Sequence, residues 1–172
     1  MLETFQQHIA GELTDDIEAT LATMTDNPYV TNVPVVTGGV GREGVRRFYS
    51  DHLVGKFFPP DAELITVSRT MGGDQLVEEL VVNFTHTEPV DWMLPGVQPT
   101  GKRVEMAGVV IVKFEGGKIA YEHTYWDQAS VLVQVGLIDP QTLPVSGADS
   151  ARKVLDPASV PSNELIKRAE RE

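Results

Sequence analysis

At residue 61 the spacing of apolar side chains changes from about 3.6 residues to 2, and it holds near 2 as far as residue 126. A chain that alternates sides for that long must be built of strands there, and strands must pair. Four segments read as strands: 62–70, 75–87, 102–114 and 118–126. Met71-Gly72-Gly73-Asp74 and Glu115-Gly116-Gly117 are tight-turn sequences, so the first two and the last two form antiparallel hairpins. The connection 88–101 is long and carries Pro89, Pro95 and Pro99, the kind of loop that often acts as a lid or rim. Within it, Trp92, Met93 and Leu94 would be exposed unless they cap a hydrophobic hollow or a subunit contact.

The first 60 residues have a helical period. Leu2, Phe5 and Ile9 mark a helix to residue 10, where Gly11 interrupts. Asp15 with Glu18 three positions on reads as a capping box. Ile17, Leu21 and Met24 then form an i, i+4, i+7 stripe, which Asp26-Asn27-Pro28 ends. Tyr29 to Val36 is β-prone but contains Pro34, so it reads as an edge strand or an extended segment. Gly38-Gly39-Val40-Gly41 reads as a flexible turn; without a Walker lysine it is not a nucleotide loop. Residues 42–55 form a helix with Val45, Phe48, Tyr49, His52 and Leu53 on one side, from which His52 can point inward. Residues 127–136 read as a short helix, and two more short helical pieces fall near 148–155 and 162–171. Helices followed by a meander make an α+β pattern. A chain of 172 residues suits one domain, read as 1–138, with 139–172 an extension packed on that domain or on a partner subunit.

Charge and composition exclude several classes. A net charge of -11 with no basic stripe argues against nucleic acid and against an anionic membrane surface. No run of ~18 apolar residues is present. With no cysteine there is no disulfide, thiolate nucleophile or Cys-bound zinc. The opening Met-Leu-Glu-Thr-Phe-Gln-Gln-His does not read as a signal peptide, and a cytoplasmic location is the expectation.

The chemistry concentrates in residues 119–137. On a strand, Tyr121, His123, Tyr125 and Asp127 share one face, and a carboxylate beside a histidine and two tyrosines is a candidate acid/base site. Asp127 is also well placed to cap the helix that follows, and the two roles are compatible. His86 and His123 lie near Glu88, Asp91, Glu122 and Asp127, where they could relay protons or hold a substrate oxygen. His86-x-Glu88 offers two ligand types, but no zinc-type spacing accompanies it, so no metal is expected. His8 reads as hydrogen-bonded within the fold. Arg103 and Glu105 share a strand face, either as a surface ion pair or as groups that orient a water. There is no Gly-x-Ser-x-Gly elbow.

Three motifs in order carry a family resemblance over roughly residues 10–138. They are His86-Thr87, then Pro99-Thr100-Gly101-Lys102-Arg103-Val104, then Trp126-Asp127-Gln128-x-x-x-Leu132-x-Gln134-x-Gly136-Leu137. The chain resembles the SnoaL-like polyketide cyclase and ester cyclase family of the nuclear transport factor 2-like superfamily. The resemblance implies a cone-shaped, cystatin-like α+β fold, with N-terminal helices packed on a curved antiparallel sheet around a hydrophobic cavity. It implies Asp127 as general acid/base in an intramolecular aldol closure and His86 as a cavity histidine. It also implies no metal or organic cofactor, and a homodimer. The expected activity is therefore on a small, mostly apolar carbonyl compound of polyketide, lactone or ester type. Asp127, His86 and His123 are its catalytic candidates. Tyr29, Tyr49, His52, Trp92, Met93, Arg103, Glu105 and Tyr125 are candidates to surround the substrate. Two alternatives stand beside it. One is a non-catalytic ligand-binding or dimerising protein of the same fold. The other is a hydrolase, because Arg103-x-Glu105 with Asp127 is similar to the Asp-Arg-Asp arrangement of limonene-epoxide hydrolases.

Overall fold

The structure, a computed structural model, describes residues 1–171. Six strands form one sheet in the order β2-β1-β6-β5-β4-β3. The four strands expected from the alternation are β3 (Glu63–Gly72), β4 (Gln75–Thr85), β5 (Arg103–Glu115) and β6 (Lys118–Trp126), each antiparallel to the next. The remaining two come from the helical half. β1 (Met24–Asn32) runs parallel to β6, and β2 (Thr37–Val40) folds back antiparallel on β1.

Three expectations change here. Tyr29 does not sit on an edge strand, because β2 covers the outer side of β1 and is itself the edge. Asp26-Asn27-Pro28 does not end a helix but lies within β1, where the register with β6 shifts between Met24 and Tyr29 and no ladder bond is asked of Pro28. Gly38-Gly39-Val40 is a strand. Its glycines are required by contact: a Cβ on Gly38 would meet the Val30 carbonyl and one on Gly39 would meet Gly44.

The N-terminal helices lie over one face of the sheet. α1 (Leu2–Leu13) runs straight through Gly11, which marks the crossing with α2 (Ile17–Ala22); a side chain there would strike Thr20. The cap of α2 is Asp16, which accepts from the Ala19 amide at 2.9 Å, and not Asp15. Asp15 takes φ 59 and accepts from the Gly55 amide at 2.8 Å, tying the two helical regions together. α3 (Gly41–Phe48) passes into a single π-type turn, Tyr49–Leu53, closed by the Val54 amide donating to the Tyr49 carbonyl at 2.9 Å. The wider turn keeps Tyr49 and Leu53 buried and swings His52 out to solvent, so His52 does not point inward.

The loop 86–102 folds into the core. Val90, Trp92, Met93 and Leu94 are buried, and the Trp92 indole donates to the Phe57 carbonyl at 2.7 Å while meeting Trp126 edge-on at 5.5 Å. α4 (Gln128–Gln134) follows β6 directly. Beyond it, α5 (Asp149–Leu155) lies against β5 and β4, with Ala151 buried and Arg152 paired to Glu105. α6 (Glu164–Ala169) is largely exposed, held by Arg168 donating to the Pro140 and Leu143 carbonyls. No helix among the described residues is long and apolar enough to cross a membrane.

Candidate active site

Between the helices and the sheet lies a cavity of about 390 Å³. Its wall is mainly apolar, with Phe5, Ile9, Phe48, Leu53, Trp92 and Met106 among the lining side chains. The exposed residues of the lining all belong to α1 (Gln6, Ala10, Leu13) or β3 (Leu64, Thr66, Arg69), so the cavity opens between α1 and the edge strand β3. β4, β5 and β6 send alternate residues inward: Glu78, Leu80 and Val82; Met106, Gly108 and Val110; Glu122 and Thr124.

Besides Asn32 and Thr124, two charged clusters interrupt this wall. The deeper one starts from Glu122 on β6, which is 7% exposed. Opposite it, α1 presents His8 and Glu12, four residues apart and so on one face of the helix. His8 Nε2 lies 3.3 Å from Glu12 Oε1 and 3.4 Å from Glu122 Oε2, and the Tyr49 hydroxyl stands 3.3 Å from the same nitrogen. Among the described residues, His8 at 3.4 Å is the one polar partner of Glu122 Oε2.

The other ring nitrogen settles the state of His8. The Thr23 hydroxyl donates to the Thr20 carbonyl at 2.6 Å, so toward His8 Nδ1, 2.8 Å away, it can only accept. Nδ1 therefore carries a hydrogen, and Nε2 faces two carboxylates. Burial alone would lower the His8 pKa, but Glu12 and Glu122 together outweigh it and push it up to about 10. His8 is thus an imidazolium with a proton on Nε2. Burial raises the Glu122 pKa; His8 opposes that shift and the charge on Glu12 adds to it. Burial, then the charges of Glu12 and Glu122, hold the Tyr49 hydroxyl protonated. His8, Glu12 and Glu122 also bring one nitrogen and two oxygens within 4.8 Å of one another, a set that could hold a cation.

The second polar group sits at the mouth. Arg69 on β3 donates through Nε and Nη2 to Glu78 at 3.2 and 2.8 Å, and the Thr66 hydroxyl donates to the same carboxylate at 2.6 Å.

Of the residues singled out from sequence, Tyr49 and Trp92 line the cavity. The others lie elsewhere. Asp127 is exposed and caps α4, accepting from the Ser130 amide at 3.2 Å. His123, Tyr125 and Tyr29 point out of the opposite face of the sheet, where Tyr29, Tyr121 and His123 stack at 4.5 to 5.5 Å. The shared face read for Tyr121, His123 and Tyr125 exists, but it is the outer one. His86 is fully buried outside the cavity, with Nδ1 accepting from the Thr100 amide at 3.3 Å, so it pins the base of the 86–102 loop. Met93 is buried without reaching the cavity lining. Arg103 pairs with Asp61 at 3.1 Å and Glu105 with Arg152, so these two and Asp127 are engaged with three different partners and form no common site. His52 lines a separate, shallower hollow with Arg47 and Asp91.

Sequence reasoning passed over Glu12 and Glu78, and named Glu122 only as an acid beside His123. Only the four-residue step from His8 to Glu12, on a helix marked by Phe5 and Ile9, gave a local signal.

A family model described as SnoaL-like polyketide cyclase matches residues 6–135. Comparison with curated proteins found no match. Among solved structures, the chain is similar to a SnoaL-like protein from Jannaschia sp. CCS1, with 18% identity and a TM-score of 0.65 over 80% of this chain and 92% of that one. It is similar to IdmH from Streptomyces antibioticus, with 21% identity and a TM-score of 0.58 over 78% and 96%. It is also similar to a protein of ketosteroid isomerase-like fold from Catenulispora acidiphila, with 14% identity and a TM-score of 0.59 over 79% and 94%. At these identities the structural likenesses speak for the fold, and they agree with the expected cone.

Proposed function

Because the chain belongs to the SnoaL-like polyketide cyclase family, we propose that it is a cofactor-free acid/base enzyme that closes or isomerises a small, mostly apolar carbonyl compound. The observation that carries this reading is Glu122: a carboxyl group ion-paired with His8, in the wall of a mainly apolar cavity, with its pKa raised by burial. A raised pKa makes a carboxylate a stronger base and its acid a usable donor near neutral pH. About 390 Å³ falls in the range of small-molecule sites.

In this reading Glu122 removes a proton from the carbon α to a carbonyl. The electron pair left behind forms an enolate, whose carbon attacks a second carbonyl of the same molecule. The resulting alkoxide takes the proton back from the Glu122 acid, so one carboxyl serves both halves and no outside reagent is consumed. Burial first, then His8 and Glu12, set the proton affinity of Glu122, and Tyr49 stands against Glu12 and His8 at the same wall. The acid/base role expected of Asp127 passes to Glu122.

The test is hydrogen–deuterium exchange at the α-carbon of 2-acetonaphthone in heavy water, followed by proton NMR. Glu122→Gln is expected to lower catalysed exchange by about 10²–10⁴-fold, while Asp127→Asn leaves it unchanged. Loss in Asp127→Asn with retention in Glu122→Gln would overturn the assignment. Wild-type protein that binds the ketone but exchanges it no faster than buffer would leave a ligand-holding protein of the same fold.

A further inference from the structure

The cavity has a second polar end that the acid/base chemistry does not use. Register places it opposite the first. Arg69 pairs with Glu78, Glu78 with Val110, and Val110 with Thr124, two residues along from Glu122 on the same face. Three strand spacings separate β3 from β6, roughly 14 Å. Side chains reaching inward from both ends shorten that gap to the length of a molecule of two or three fused rings.

Arg69 is held rather than free to swing. Glu78, itself 7% exposed, receives Nε, Nη2 and the Thr66 hydroxyl, and the guanidinium lies over the Phe5 ring at 5.5 Å. Nη1 makes no hydrogen bond among the described residues. The guanidinium thus offers fixed N–H groups at the cavity mouth, while Glu78 cancels its charge. Such a group rewards a neutral oxygen acceptor. It does not reward an anion, which would meet the Glu78 carboxylate at the same place.

We propose that Arg69, fixed by Glu78 and Thr66, is a specificity-determining residue that docks a neutral acceptor oxygen, an ester or ketone carbonyl, at the far end of an apolar ligand. The reacting carbonyl then lies at Glu122. This rests on the acid/base reading for which end reacts, but the docking is a matter of binding alone.

Three ligands separate the possibilities: 2-acetonaphthones bearing at carbon 6 a methyl ester, a sec-butyl group of similar size, or a free carboxylate. Dissociation constants come from equilibrium dialysis. In the double variant Arg69→Met/Glu78→Met, which strands no charge, the affinity of the ester relative to the sec-butyl compound is expected to fall about tenfold, the worth of one hydrogen bond to a charged donor. In Glu78→Gln, where the guanidinium charge is no longer cancelled, the carboxylate is expected to gain about tenfold on the ester. Glu122→Gln is expected to keep the wild-type ester preference, so loss of exchange and loss of docking are read separately. An unchanged ester-to-sec-butyl ratio in the double variant, or a wild-type protein that prefers the carboxylate, would overturn the proposal.

Discussion

Alternate residues of β6 face different surroundings. Tyr121, His123 and Tyr125 look outward and stack along an aromatic row with Tyr29, half-buried at most and open enough for their polar atoms to reach water. Glu122 and Trp126 look inward and are buried, Glu122 under α1 and Trp126 against Trp92. Both faces carry aromatic and titratable side chains, so their composition is alike. What differs is the cover. Burial makes a carboxyl hold its proton, and only the inner side buries one.

The sharpest way to break this contrast is to compare Glu122→Gln with His123→Gln in the exchange reaction. The first is expected to lose about 10²–10⁴-fold and the second to stay within about twofold of wild type; similar losses would erase the distinction between the faces. Packing gives the next largest effect. Trp126→Ala empties a buried site against Trp92 and is expected to cost about 3–5 kcal/mol in urea unfolding. Tyr125→Ala, on the exposed side, is expected to cost about 0.5 kcal/mol or less.

The pH dependence follows from His8. Its folded pKa, about 10, lies above the ordinary 6.5, so its stabilising charge is fully present below pH 6.5 and is lost as pH rises toward 10. The wild-type melting temperature should therefore fall between pH 6.5 and 10. His8→Gln should flatten that slope, whereas His123→Gln should keep it. The smallest effect belongs to the helix cap: Asp127→Ala is expected to cost about 1 kcal/mol, and Asp127→Asn a few tenths at most, since asparagine caps as well.

Much of the architecture was legible in the residues. Period-2 alternation needs no tertiary information, and it located β3 to β6 and both hairpins. Trp92, Met93 and Leu94 read as capping a hydrophobic hollow or a subunit contact; all three are buried, and Trp92 lines the cavity. The first half of β1 and all of β2 were hidden because their evidence is not local. Pro28 is tolerated by a register shift against a strand nearly a hundred residues away, and Gly38 and Gly39 exist for close approach to Val30 and Gly44. Asp15 and Asp16 are chemically equivalent as caps, and only the left-handed backbone at Asp15 decides between them.

The site was harder to read than the fold for a related reason. Alternation assigns Tyr121, His123 and Tyr125 to one face and Glu122 to the other, but it does not say which face the helices will cover. His123 attracted attention as the histidine beside acids. The histidine buried between acids is His8, and its partner Glu122 comes from 114 residues further along the chain. The carboxylates Glu12, Glu78 and Glu122 are ordinary residues until the fold takes water from them.

The most direct measurement is a carbon-13 NMR titration of protein labelled at the glutamate side-chain carboxyl. One resonance is expected to titrate above the ordinary glutamate range and to vanish in Glu122→Gln. If every glutamate titrates within that range, and Glu122→Gln removes an unremarkable signal, then the inner wall holds no proton carrier and the catalytic account is contradicted.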